Sequence, residues 1–161
     1  MKIQYRALVP KDSSLYRQVR LTSLLLHPEC FGSDYQEQAI LPKLYFETMI
    51  EENSQENIML GAFFGRELIG LCGLKAVSTE AAEIVQMYVD SSYRGNNIGV
   101  NLVSLAKDYA VSRLEVSKLM LVVYTENISA INAYEKAGFQ IDKRESGGNE
   151  GELYMTFVTQ T

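Results

Sequence analysis

Residues 83–100 read EIVQMYVDSSYRGNNIGV, and this run decides the fold. The first seven, Glu83 to Val89, are rich in β-branched and aromatic side chains, the composition of a mostly buried strand. Asp90, Ser91, Ser92 and Tyr93 turn the chain, and Arg94-Gly95-Asn96-Asn97-Ile98-Gly99 leads straight into a helix. Ile98, Leu102, Leu105 and Tyr109 fall at helical spacing, with Asn101, Ser104, Lys107 and Asp108 away from them. Gly and Asn tolerate positive φ best, so Gly95, Asn96 and Asn97 let successive amides turn inward into a nest that binds anions. The helix aims its unpaired first-turn amides and positive dipole end at the same spot. No Lys-Ser or Lys-Thr follows Gly99 and no G-x-G-x-x-G spacing occurs, so neither a Walker loop nor a dinucleotide fingerprint is present. On these residues alone, an anion cradle and a plain Gly-rich helix start stand level.

Residues 119–124, LMLVVY, form another buried-strand pattern. Thr125-Glu126-Asn127 follows, then a helix carrying Ala130, Ile131, Tyr134 and Ala137, closed by Gly138-Phe139. Together the two segments read V-x-x-x-Y-R-G-x-x-I-G and L-x-V-x-x-x-N-x-x-A-I-x-x-Y-x-K-x-G-F. This pair of motifs resembles the GNAT superfamily of acyl-CoA-dependent N-acetyltransferases. The resemblance is close over residues 83–139 and extends to the order of elements elsewhere. The chain departs from the family's pyrophosphate loop at Asn97, where a glycine is usual; Asn is the next best residue for a left-handed backbone.

The resemblance implies a mixed α/β (α+β) fold: a central sheet of about seven strands flanked by about four helices, with the two parallel central strands splayed at their carboxyl ends. Residues 1–161 would form one domain. Acetyl-CoA would be the co-substrate, its pantetheine arm paired with backbone at Met87, Tyr88 and Val89 in the manner of an added strand. Its pyrophosphate would rest on Arg94, Gly95, Asn96, Asn97, Ile98, Gly99 and Val100. A backbone N–H of the central strand would serve the oxyanion. The resemblance makes Tyr134 the general acid for the leaving thiolate, although its spacing from Ala130, Ile131 and Ala137 also suits a core aromatic. Asn127 would contact the cofactor arm, and its place before Ile128 also suits an N-cap worth ~1 kcal/mol. Glu83 matches the position of a catalytic Glu in some members, against the plainer reading of a solvated strand-edge carboxylate; other members use ordered water as base. Gly138 reads as a helix C-cap with Phe139 as its hydrophobic closure.

Composition sets the outer limits. The chain has 161 residues, 47% hydrophobic and 22% charged, as an ordinary globular domain does. Fifteen Lys and Arg against twenty Asp and Glu give a net charge of −5, which disfavours a nucleic-acid partner and is compatible with a cationic amine. No apolar run reaches the ~20 residues of a membrane span and no signal-peptide pattern begins the chain, so the expected location is cytoplasmic. Cys30 and Cys72 are far apart, and His27 is the single histidine, a residue near a helix end. A disulfide framework, a metal site and a His-based hydrolase are therefore not expected.

In chain order, residues 3–8 alternate as a first strand. Asp12 or Ser13 caps a helix with Leu15, Tyr16, Val19 and Leu26 on one face, ended by Pro28. Residues 29–41 lack periodicity, and Pro42 suits the first position of a second helix whose apolar positions are Tyr45, Phe46, Met49 and Ile50. By the resemblance this region lies over the acceptor, where Phe31, Ser33 and Tyr35 either shape a pocket or simply cover the sheet. Residues 57–64 and 68–77 form a hairpin about Gly65-Arg66-Glu67, and Gly70 and Gly73 point to a bulge or a close backbone approach. Residues 140–145 and 152–158 form the last hairpin, joined by a segment whose composition suits a mobile loop. The expected acceptor is a small primary amine or polyamine, with a protein N-terminus or lysine as the alternative. A non-catalytic acyl-CoA-binding module is the contrasting class, and the reading leaves room for a homodimer.

Overall fold

The computed structural model describes residues 2–28, 34–143 and 151–159. Seven strands form one sheet: β1 (Gln4–Ala7), β2 (Asn57–Phe64), β3 (Glu67–Ala76), β4 (Ala81–Val89), β5 (Lys118–Tyr124), β6 (Gln140–Ile141) and β7 (Glu152–Val158). Their order is β1-β2-β3-β4-β5-β7-β6, with β4 and β5 the parallel pair and the other neighbours antiparallel. Five α-helices accompany them: α1 (Ser13–Leu26), α2 (Tyr35–Ala39), α3 (Tyr45–Glu51), α4 (Ile98–Tyr109) and α5 (Ile128–Lys136).

Helices cover both faces, so the sheet is buried on both sides and β2 and β3 read as near-continuous apolar runs. One core layer packs Ile84, Leu119 and Leu121 of the sheet against Ile98, Leu102 and Val103 of α4 and Ile131 of α5. The other packs Met59, Leu71 and Tyr88 against Tyr16 of α1 and Phe46 and Ile50 of α3.

Three features differ from the sequence pattern. Helix α2 breaks the stretch that showed no periodicity, and Asp34 caps it by accepting from the Gln36 amide at 3.2 Å. Helix α3 starts at Tyr45 rather than at Pro42, because Glu47 accepts the Leu44 amide at 2.9 Å and so closes the first turn three residues later. Arg17 of α1 then clamps this connection, donating to Glu47 at 2.8 Å and to the Leu41 carbonyl at 2.8 Å. In α1 the buried stripe is Tyr16, Arg20, Ser23 and Leu24, while Leu26 stands 59% exposed. Polar Arg20 is buried where the stripe lines a cavity beside β4, and buried Ser23 donates its hydroxyl to the Arg20 carbonyl at 2.7 Å.

The feature that shapes the site lies in β4. Leu71 pairs with Tyr88 and Gly73 with Val85, so three steps along β4 match two along β3. The extra residue is a bulge, and within it Gln86 has φ 56°. An inserted residue inverts the side-chain alternation beyond it. Accordingly Ala82 and Ile84, then Met87 and Val89, face α4, whereas Val85 and Tyr88 face α1 and α3. Gly73 makes room for this, since a Cβ there would stand 3.0 Å from the Val85 carbonyl oxygen. The close approach expected at Gly73 is present, and β3 itself bulges at Ile69 beside Gly70, where Ala62 pairs with Gly70 and Phe63 with Leu68; the bulge that shapes the site is a second one, on β4 opposite Gly73.

Candidate active site

The parallel ladder between β4 and β5 is short, ending at Glu83 opposite Met120. Beyond it β5 stays paired with β7 as far as Tyr124, while among the described residues the β5-facing edge of β4 has no strand partner from residue 84 to 89. The central strands are therefore splayed, and the gap leaves unsatisfied main-chain groups along β4.

At the carboxyl end of β4, Asp90 accepts from the Ser92 amide at 2.8 Å and starts a short 3-10 turn, Ser91–Tyr93. Gly95 follows at φ 89° and Asn97 at φ 59°, ψ 23°. Asn97 is the N-cap of α4, yet its side chain makes no capping bond. Among the described residues none of the amides of residues 95–100 donates to a protein acceptor. Main-chain donors and the positive end of a twelve-residue helix thus converge, and the Arg94 guanidinium lining the same groove adds to their positive field, which suits an anion.

The opposite wall is α5. The Asn127 side chain accepts from the Ala130 amide at 3.3 Å, which caps the helix and leaves its amide nitrogen available to the gap. At the other end Phe139 donates to Tyr134 O at 3.0 Å and Gly138, at φ 100°, donates to Glu135 O at 3.0 Å. This is a Schellman closure, and its hydrophobic pair is Tyr134 with Phe139, ring centroids 5.9 Å apart. The device that ends the helix also fixes the Tyr134 ring. Its hydroxyl has no hydrogen-bond partner among the described residues, and burial, with a smaller contribution from Cys72, raises its pKa. Cys72 itself is fully buried, which pushes its thiol up to about 12.

A groove of about 570 Å³ joins these parts. Met87, Tyr88, Val89, Arg94, Gly95, Asn97, Ile98, Gly99, Val100, Asn127 and Tyr134 all line it. Of the expected cofactor residues Asn96 alone stands apart: it is exposed, and its side chain donates to Tyr93 O at 2.8 Å. Glu83 lies in a second cavity of about 350 Å³, which shares Met87, Asn127, Ala130 and Tyr134 with the groove. Burial raises the Glu83 pKa against the opposing pull of Lys75. Arg20, Gln86, Tyr124 and Glu152 line the same cavity. Tyr35 lines neither space, and Phe31 and Ser33 lie outside the described residues.

Other residues of the site escaped the sequence. Ser129, Asn132, Ala133 and Lys136 present one face of α5 to the groove, a helical spacing visible in the chain. His27 lines it as well, its ring centroid 6.1 Å from that of Tyr88; nothing local marks it out. Gln86 could have been suspected as the lone amide in an apolar strand. Among the described residues no group of three or more His, Cys, Asp or Glu is placed to hold a metal ion, and no helix is long and apolar enough to cross a membrane.

The sequence profile described as the acetyltransferase (GNAT) family matches residues 22–139. The chain belongs to the acetyltransferase (GNAT) family. Within reach of this GNAT chain is a streptothricin acetyltransferase of Escherichia coli, 30% identical over 91 residues, or 56% of this chain and 52% of that protein. The chain thus spans about half the length of that relative. A spermidine N(1)-acetyltransferase of Thermoplasma acidophilum is 27% identical over 148 residues, 88% of this chain and 91% of that one. Among solved structures, PaiA N-acetyltransferase of Thermoplasma acidophilum in complex with coenzyme A superposes with TM-score 0.77 at 22% identity, covering 98% of this chain and 99% of that one. This last likeness establishes the fold.

Proposed function

We propose that the chain is an acetyl-CoA-dependent N-acetyltransferase that acetylates a small primary amine or polyamine by direct attack in a ternary complex. The observation that carries this reading is one groove holding the open amides of residues 95–100, the unpaired edge of β4 and the Tyr134 hydroxyl. Acetyl-CoA, when bound, supplies the activated acetyl thioester. The cradle and Arg94 hold its pyrophosphate; the β4 edge and Asn127 hold the pantetheine arm. A β4 amide at the bulge donates to the carbonyl oxygen as negative charge develops there, a fixed donor that needs no reorganisation. Tyr134 gives its hydroxyl proton to the departing sulfur; like any tyrosine it is protonated at neutral pH, and burial, which raises its pKa, holds that proton more tightly until the thiolate departs.

The second cavity suits the acceptor. It opens on Tyr134 and Met87 and carries the carboxylates of Glu83 and Glu152, with Arg20 as a compensating cation. A cationic amine is attracted there and Glu83, whose raised pKa makes it a better base, takes its proton directly or through water. The names of the streptothricin and spermidine relatives support an amine acceptor of this size. The test is calorimetric binding of acetyl-CoA and CoA to the purified chain, followed by thiol release with a panel of polyamines, aminoglycoside-type amines and N-terminal peptides. Micromolar binding and rapid turnover with small amines support the reading; binding without thiol release for any amine overturns it in favour of a non-catalytic module.

A further inference from the structure

Gln86 is the strained point of the central strand. It is neither Gly nor Asn, yet it takes φ 56° in the bulge that turns Met87 and Val89 toward the groove. Left-handed backbone is strained for a residue with a Cβ, so such a conformation persists only where its surroundings impose it. Two contacts impose it. Gly73 on β3 leaves room for the displaced Val85 carbonyl, as described above. On the opposite side Tyr16 of α1, wholly buried, donates its hydroxyl to Gln86 Oε1 at 2.6 Å. A buried tyrosine hydroxyl takes a partner wherever one can be found. Here it reaches across the layer to the one residue whose conformation decides where the next amides point.

We infer that Tyr16 is a positioning residue for acetyl transfer, holding Gln86 in its left-handed conformation and thereby aiming the bulge amide at the thioester carbonyl. Tyr16 does not touch substrate; it acts through Gln86. The inference rests on the donor-site reading above and assigns that site a lock supplied from a helix seventy residues away in sequence. The lock also separates two roles of a core tyrosine. A tyrosine that merely fills space is replaced by phenylalanine with little consequence for the groove, whereas loss of this hydroxyl frees Gln86 to return to negative φ.

Infrared difference spectra of acetyl-CoA carrying ¹³C at the thioester carbonyl test this without an acceptor. In the wild-type complex the carbonyl band moves to lower frequency than in solution. In Tyr16→Phe most of that shift is lost, while calorimetric affinity for acetyl-CoA stays within about threefold. Gln86→Gly keeps the shift, because glycine adopts positive φ without a lock. The double variant Tyr16→Phe/Gln86→Gly regains it. Gln86→Val, which leaves Tyr16 in the core and disfavours positive φ, loses the shift as Tyr16→Phe does and serves if Tyr16→Phe does not fold. A full shift in Tyr16→Phe, or in Gln86→Val, overturns the inference, as does a double variant no better than Tyr16→Phe. A wild-type chain that binds no acetyl-CoA removes the donor-site reading and this inference with it; binding with a band indifferent to these changes removes this inference alone.

Discussion

The groove proposed for the cofactor and the cavity proposed for the acceptor meet at Tyr134 but are built on opposite plans. The groove recognises with main chain: amides of residues 95–100 and the unpaired edge of β4, supported by a cap at each end of α5. The cavity is lined with side chains drawn from four separate places, Arg20 of α1, Glu83 and Gln86 of β4, Tyr124 of β5 and Glu152 of β7. Main-chain recognition needs particular backbone conformations in consecutive residues, so it leaves a contiguous signature of Gly and Asn. Side-chain recognition needs only that distant residues converge, and the fold alone brings them together. The difference makes the proposed donor side legible in a contiguous stretch of sequence and the proposed acceptor side legible only in the fold.

The sharpest way to break this contrast is at Tyr134, one of the four residues both spaces share. Tyr134→Phe is expected to lower kcat by about a hundredfold or more, the scale of a lost general acid, while acetyl-CoA affinity changes by less than about threefold. Steady-state kinetics with a thiol-detecting assay and calorimetry on the same preparations separate the two numbers. An unchanged kcat would make Tyr134 a core aromatic after all.

Gly95→Val strikes the main-chain side alone. A Cβ at Gly95 meets nothing within 4 Å, so the penalty comes only from placing a β-branched residue at φ 89°. Strain of about 1–2 kcal/mol predicts an acetyl-CoA affinity on the order of tenfold weaker, with kcat at saturation nearly unchanged. A fall in kcat with unchanged affinity would mean that the loop positions the reacting end rather than the phosphates.

These two residues also mark what could be read beforehand. The strand, loop and helix around Gly95 and the capped helix carrying Tyr134 were legible because each depends on local chemistry: β-branched runs, positive-φ residues, an N-cap at Asn127 and a C′ glycine at Gly138. The splay followed from the family resemblance, and the truncated β4–β5 ladder shows it. The β3 bulge beside Gly70 was legible from its glycine. The β4 bulge was not, because Gln86 has no intrinsic preference for positive φ and is held there by Tyr16, a contact between residues seventy positions apart. The buried stripe of α1 was misjudged for a related reason. Apolar periodicity selects the residues that avoid water, whereas Arg20 is buried beside a polar cavity and Ser23 on a hydrogen bond to the Arg20 carbonyl.

Glu83→Gln sharpens the acceptor side through stability. Burial raises the Glu83 pKa in the folded chain above its value in the unfolded chain. The folded state therefore holds its proton more tightly, and native stability falls as pH rises from the ordinary Glu range through the raised folded value, with the deficit remaining above it. Removing the charge is expected to raise the melting temperature slightly at pH 7.5 and to leave it unchanged near pH 4, below both values. A variant less stable than wild type at pH 7.5 would indicate that the carboxylate is held by favourable partners rather than strained by burial.

The smallest effect is expected at Asn97, the position where the chain departs from the family loop. Asn97 already occupies the left-handed conformation that a glycine would take there, and its side chain makes no capping bond that substitution could remove. Because the cradle binds through amides rather than side chains, Asn97→Gly changes neither the donors nor their directions. Two smaller effects oppose one another: relief of the residual left-handed strain, and the greater unfolded-state entropy of glycine, each a fraction of ~1 kcal/mol. Acetyl-CoA affinity by calorimetry should therefore shift by less than about threefold in either direction. A tenfold tightening would show that the asparagine obstructs the phosphates. A tenfold loss would show that its side chain contacts them, and the main-chain account of the donor side would then fail at its centre.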